Sequence, residues 1–126
     1  MPERIILVED DLAMRFALCR ALEKQGYAVV ETGSAEEALE RLRSASFTVA
    51  ILDIRLPGMS GLDAIPLMKQ IAAELEIVVM TAHGTADLGL EAINRGAFDY
   101  FTKPFSLAEI QTVVRRAVEK SRGNRT

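Results

Sequence analysis

Short apolar runs alternate with segments of helical period five times along this chain. The runs are Ile5-Ile6-Leu7-Val8, Ala28-Val29-Val30, Val49-Ala50-Ile51-Leu52, Ile77-Val78-Val79-Met80 and the weaker Tyr100-Phe101. Three are continuous rather than alternating, as expected of parallel strands covered on both faces. Helical stripes lie between them. Met14, Leu18, Ala21 and Leu22 share a face of the first; Ala35, Ala38, Leu39 and Leu42 of the second; Leu107, Ile110, Val114 and Ala117 of the last.

Punctuation residues agree with the stripes. Ser34 with Glu37, and Ser106 with Glu109, have capping-box spacing. Gly26 and Gly96 fall where the first and fourth helices should end, and Pro57-Gly58 marks a loop after the third strand. Pro66 is awkward, because inside the third helix it deletes a backbone bond: that helix should start late or bend there. Five strand–helix units are too few for a closed eight-fold barrel and predict an open α/β domain, doubly wound around a five-stranded parallel sheet. Right-handed crossovers favour strand order 2-1-3-4-5, with ligands bound beyond the strand C-termini at the switch point between strands one and three.

Composition narrows the picture. The 126 residues suffice for one domain with its own core, and residues 1–126 show no linker, repeat or low-complexity tract. Five Phe, two Tyr and no Trp leave a mostly aliphatic core. The single Cys19 cannot close an intrachain disulfide, and no zinc-type cluster exists. No apolar run is long enough to span a membrane and no signal-peptide pattern opens the chain, so a cytoplasmic protein without membrane contact is expected. Net charge is −3, which argues against direct nucleic-acid binding. The basic end, with Arg115, Arg116, Lys120, Arg122 and Arg125, suits a helix C-terminus and a solvated exit.

The strand ends carry the chemistry. Glu9, Asp10 and Asp11 follow the first strand, Asp53 ends the third, Thr81 the fourth, and the fifth runs into Lys103-Pro104. Adjacent strands lie about 4.8 Å apart, so terminal carboxylates on strands one and three repel unless neutralised. A hard divalent cation with oxygen ligands answers that need, and Mg²⁺ fits best because few carboxylates are offered. His83 is the only histidine, and no Walker loop or dinucleotide glycine fingerprint is present. A carboxylate nucleophile beside a metal, with an ammonium and a hydroxyl to hold phosphoryl oxygens, suits phosphoryl transfer onto aspartate. Singly, each residue has a plainer role: Asp11 a helix cap, Thr81 a strand-end residue, Lys103 a surface charge. Their convergence on one sheet edge makes the case.

Four motifs make the chain recognisable: Ile6-Leu7-Val8-Glu9-Asp10-Asp11, Asp53 through Gly61, Met80 through Gly84, and Gly96 through Phe105. Together, in order and spacing, they resemble the receiver domain of two-component response regulators, a flavodoxin-like fold, over essentially the whole chain. The resemblance implies a phosphorylation-dependent signalling switch that is not an enzyme beyond its own phosphorylation and dephosphorylation. It implies Asp53 as phosphoacceptor and metal ligand, Asp10 as a direct Mg²⁺ ligand, and Glu9 as an outer-shell contact. It further implies the Arg55 backbone carbonyl as a ligand, Lys103 on the phosphoryl group, Thr81 and Tyr100 as switch residues, and a cis Lys103–Pro104 bond. The family often has Asp where Glu9 stands, which bears on outer-shell geometry alone. The implied partner is a sensor histidine kinase. The wording around Met80 and Gly96 is similar to receivers of transcription activators, including those with an AAA+ ATPase domain, so a C-terminal DNA-binding effector and a homodimer are admitted. Phosphoryl lifetime in the family depends on side chains such as those at Arg55 and His83.

Two other classes share parts of this pattern. A haloacid-dehalogenase-type phosphotransferase would want an acidic residue where Arg55 stands, and a cap domain. A stand-alone flavodoxin-like electron carrier would want a hydroxyl-rich phosphate loop where Glu9-Asp10-Asp11 stand. The output of the switch is expected to leave through the fourth helix, loosened by Gly84 and Gly89, and the fifth strand, as Thr81 moves inward and Tyr100 turns from exposed to buried.

Overall fold

A computed structural model describes residues 2–82 and 86–124. His83, Gly84 and Arg125 lie outside the described residues. The elements are β1 (Arg4–Val8), α1 (Leu12–Lys24), β2 (Ala28–Thr32), α2 (Ala35–Ser44), β3 (Val49–Asp53), α3 (Gly61–Ile71), β4 (Glu76–Thr81), α4 (Ala86–Asn94), β5 (Asp99–Thr102) and α5 (Leu107–Asn124). The strands form one parallel sheet in the expected order β2-β1-β3-β4-β5.

The sheet divides the core in two. Ile6, Val8, Ala50, Leu52, Ile77 and Val79 point to the side of α2, α3 and α4, while Ile5, Leu7, Val49, Ile51, Val78 and Met80 point to α1 and α5. The continuous apolar runs follow directly, since successive side chains serve opposite faces and both faces are covered. β5 shows the same alternation: Tyr100 belongs to the first side and Phe101 to the second, where its ring meets Phe105 edge-on at 4.7 Å.

Helix termini follow local chemistry. Asp11 caps α1 by accepting from Met14 N at 3.0 Å, and Gly26 follows with φ of 94°. Ser34 caps α2 at 3.1 Å, but the Glu37 carboxylate reaches Gly33 N rather than closing on the cap residue itself. Ser106 accepts from Glu109 N at 3.1 Å and donates to its carboxylate at 3.3 Å. Ser60 caps α3, a role the sequence reading did not single out.

Of the two alternatives for α3, the late start is ruled out: it begins at Gly61, so five helical residues precede Pro66. One expectation needs correction. Leu107 does not join the buried stripe of α5; it lies in the first turn, 47% exposed, and Val118 takes its place among the buried residues. The described basic residues at the end of α5 are exposed, as expected, and two of them also pair: Lys120 with the buried Glu76 carboxylate at 3.1 Å, and Arg122 with Glu3 at 3.2 Å.

Gly61 fixes how closely α3 approaches the end of β3. A Cβ there would lie 2.8 Å from Ile54 Cα and 3.1 Å from the Asp53 carbonyl carbon, and closer still to the Asp53 carbonyl oxygen. These are backbone atoms and cannot turn aside. Gly61→Ala is therefore expected to cost about 1–3 kcal/mol, the range for overpacking a tight site. Urea denaturation measures it, and an unchanged midpoint would contradict the close approach.

Candidate functional site

The register of β1, β3 and β4 brings the strand ends level. Val8 pairs with Leu52, and Asp53 with Met80, so Glu9, Asp53 and Thr81 emerge at one edge. Asp10 follows on the loop into α1. One carboxylate oxygen from each of Glu9, Asp10 and Asp53 lies within 4.8 Å of the others. Glu9 and Asp53 are buried and Asp10 is exposed, so the cluster has a closed floor and an open mouth.

Lys103 reaches into the floor from beyond β5. Its ammonium stands 2.6 Å from Asp53 Oδ2 and 3.3 Å from Glu9 Oε1. The main chain places it: Lys103 N donates to the Thr81 carbonyl at 2.7 Å, and the Lys103–Pro104 bond is cis. The other Asp53 oxygen, Oδ1, accepts from Arg55 N at 2.9 Å. Asp53 is thus held on both oxygens, by an ammonium and by a backbone N–H. The Arg55 side chain itself points to solvent.

Burial raises the Glu9 carboxyl to about 7, with the Asp53 charge as the next contribution; the Asp11 N–H and Lys103 oppose the rise. Burial alone would pull Lys103 down, but its hydrogen bond and charge pairing with Asp53, then with Glu9, leave it raised overall. One ammonium against three carboxylates leaves the cluster short of positive charge. All its remaining donors are oxygen, and that set matches a hard divalent cation.

Thr81 Oγ1 is buried and has no hydrogen-bond partner among the described residues. An unmet buried hydroxyl is costly, of the order of 1–3 kcal/mol, and marks a group awaiting a partner. Tyr100 is half-buried beside α4. Every expected site residue within the described chain therefore lies at the C-terminal edge of the sheet or one strand away. A groove of about 630 Å³ between β5 and α5, lined by Tyr100, Thr102, Val113 and Arg116 among others, includes none of Glu9, Asp10 and Asp53.

Other contributors were not foreseen. Arg15 of α1 donates to the Glu9 carbonyl at 3.2 Å and pairs with Glu31 at 3.4 Å, tying the β1 end to β2. Glu36 of α2 accepts from Met59 N at 3.1 Å, holding the loop after Asp53. Neither is visible as a motif, since each acts through one long-range contact.

Residues 5–115 match the family model for the response regulator receiver domain. The chain is 38% identical over 117 residues to the DNA-binding transcriptional regulator NtrC of Azospirillum brasilense, covering 93% of this chain and 24% of that protein. It is 31% identical to sporulation initiation phosphotransferase F of Bacillus subtilis, covering 92% of this chain and 94% of that protein. Among solved structures, NtrX from Brucella abortus in complex with ADP superposes with a TM-score of 0.94 at 30% identity, covering 99% of this chain and 29% of that one. A CheY-like receiver domain protein from Methanospirillum hungatei JF-1 superposes at 0.92 and 23% identity, over 98% and 99% of the two chains, which bears on fold alone. The chain thus spans about a quarter of the length of the NtrC relatives.

The raised Glu9 carboxyl has a measurable consequence. A buried acid raised from 4.5 to about 7 binds a proton in the folded state that the unfolded state has released. Folding stability without divalent metal should therefore fall as pH rises across that window. Glu9→Gln removes the titration, so the stability of the wild type relative to this variant should decline from pH 4.5 to pH 7 in chelator-treated protein. A pH-independent difference would count against the burial of Glu9.

Proposed function

The chain belongs to the response regulator receiver family, and from that premise we propose that Asp53 accepts a phosphoryl group with Mg²⁺ bound at the cluster. The domain is a phosphorylation switch of that family, not a conventional enzyme. The observation that carries the reading is the Asp53 carboxylate, held between Lys103 at 2.6 Å and two further carboxylates.

Asp10 and Asp53 would hold the cation directly, with Glu9 in the outer shell and the Arg55 carbonyl completing the set. A bound Mg²⁺ would neutralise the carboxylates and the incoming phosphoryl oxygens. An Asp53 oxygen forms the bond to phosphorus as the bond from phosphorus to the donor histidine nitrogen breaks, and the imidazole leaves with the bonding pair. Lys103, already beside Asp53, takes a phosphoryl oxygen in exchange for its carboxylate contact. Thr81 supplies the last partner: its hydroxyl, without a hydrogen-bond partner among the described residues, gains a phosphoryl acceptor by moving toward Asp53. Tyr100 then turns inward, and the surface of α4 and β5 changes.

The donor in this reading is a sensor histidine kinase, and the setting is cytoplasmic. Residues 1–126 form one receiver domain. The NtrC relatives, described as DNA-binding transcriptional regulators, favour an output in transcription. A C-terminal effector, AAA+ in the form the sequence resembles, and a homodimer belong to the same reading. No helix among the described residues is long and apolar enough to cross a membrane.

Incubation with acetyl phosphate and Mg²⁺ should give one labile acyl phosphate, absent from Asp53→Asn and reduced more by Asp10→Asn than by Glu9→Gln. Labelling of another aspartate at the wild-type rate in Asp53→Asn would refute the assignment. Thr81→Ala should accept phosphate yet blunt the amide shifts across residues 86–105. Shifts confined to the loops around Asp53 in the wild type would refute this output route.

A further inference from the structure

Gly89 lies in the middle of α4 and is buried, and Tyr100 is the reason. A Cβ at position 89 would fall 2.6 Å from both Cγ and Cε2 of the Tyr100 ring, with Cδ2 nearer still. Carbon atoms in ordinary contact stand about 3.5–4.0 Å apart. No side chain fits at position 89 while the ring stays where it is.

The crowded atoms also say which motion would make room. Cε2 swings when χ2 turns, but Cγ lies on the χ2 axis and stays put. Only a new χ1 rotamer of Tyr100, or a separation of α4 from β5, moves Cγ away. Those are the two motions that the output requires. α4 also has contacts away from the ring. Arg95, just past its end, pairs with Asp63 of α3 at 3.0 Å and with Glu91 at 3.4 Å, and Ala92 is fully buried.

We propose that Gly89 is a socket for the Tyr100 ring, a positioning residue that ties the rotamer of Tyr100 to the placement of α4. Its missing side chain lets the helix backbone sit against the ring in this rotamer, so the close placement of α4 and the position of the ring depend on one another. The socket rests on the reading of Tyr100 as the moving aromatic, but its test needs no phosphoryl donor. A glycine that merely loosened the helix would behave oppositely on substitution, because alanine is the better helix former.

The test is a four-protein cycle on the 126-residue chain: wild type, Gly89→Ala, Tyr100→Ala and the double variant, followed by thermal unfolding and amide chemical shifts without phosphoryl donor. With Tyr100 present, Gly89→Ala should lower Tm and shift the ring and the amides of residues 86–105. In the Tyr100→Ala background the same substitution should raise Tm. If Gly89→Ala fails to fold, Tyr100→Ala should rescue it, and no rescue would overturn the socket. A rise in Tm in both backgrounds, with the ring signals unmoved, would overturn it too. Acetyl phosphate labelling of the same proteins separates the two readings. Loss of the sign reversal with Asp53 still labelled rejects the socket alone. An intact sign reversal with wild-type Asp53 unlabelled rejects the phosphoacceptor assignment and leaves the ring-to-helix contact standing.

Discussion

Three carboxylates crowded at the ends of two neighbouring strands are the constraint to which the rest of this protein answers. Two unit charges about 4.8 Å apart repel by about 3 kcal/mol at an effective dielectric of about 20, and Glu9, Asp10 and Asp53 offer three such pairs. The fold answers with one ammonium, from Lys103, and with a raised proton affinity at Glu9. Neither removes the imbalance. A site left in that condition favours any arriving ligand that brings positive charge, and a cation bound there in turn makes room for an anion. In the proposed function, metal and phosphoryl group are coupled through this deficit.

The supporting structure serves the same edge. β1, β3 and β4 are almost wholly buried and set the spacing of the carboxylates and of Thr81. Gly61 lets α3 close against the backbone of Asp53, Arg15 secures the carbonyl of Glu9, and Glu36 secures the loop after Asp53. These contacts come from three different helices. A loss at any of them would be felt at the cluster through backbone placement rather than through charge.

Much of this was legible in the sequence because it depends on local pattern. Runs covered on both faces, caps at Asp11, Ser34 and Ser106, and left-handed glycines at Gly26 and Gly96 each follow from chemistry within a few residues. The misreadings share a cause: they depend on what the chain meets elsewhere. Leu107 has the right phase for the core but sits a turn beyond its reach. Gly89 looked like a weak point in a helix, and only the position of Tyr100 shows that the space is taken. Sequence alone does not separate a glycine chosen for flexibility from one chosen for contact.

The alternation of β5 sets a tempo. Phe101, locked edge-on to Phe105 on the α1 and α5 side, anchors the strand while Tyr100 faces α4 across the sheet. The ring can therefore turn without any strand changing register or any sheet hydrogen bond breaking. Rotamer changes of accessible side chains take picoseconds to nanoseconds, and shifts of packed elements microseconds to milliseconds. Because the strand stays fixed, the reorganisation of α4 and not of the sheet sets the response time. A receiver built this way would answer a change of charge at its strand ends on the timescale of helix repacking, with the sheet as the fixed face of the clock.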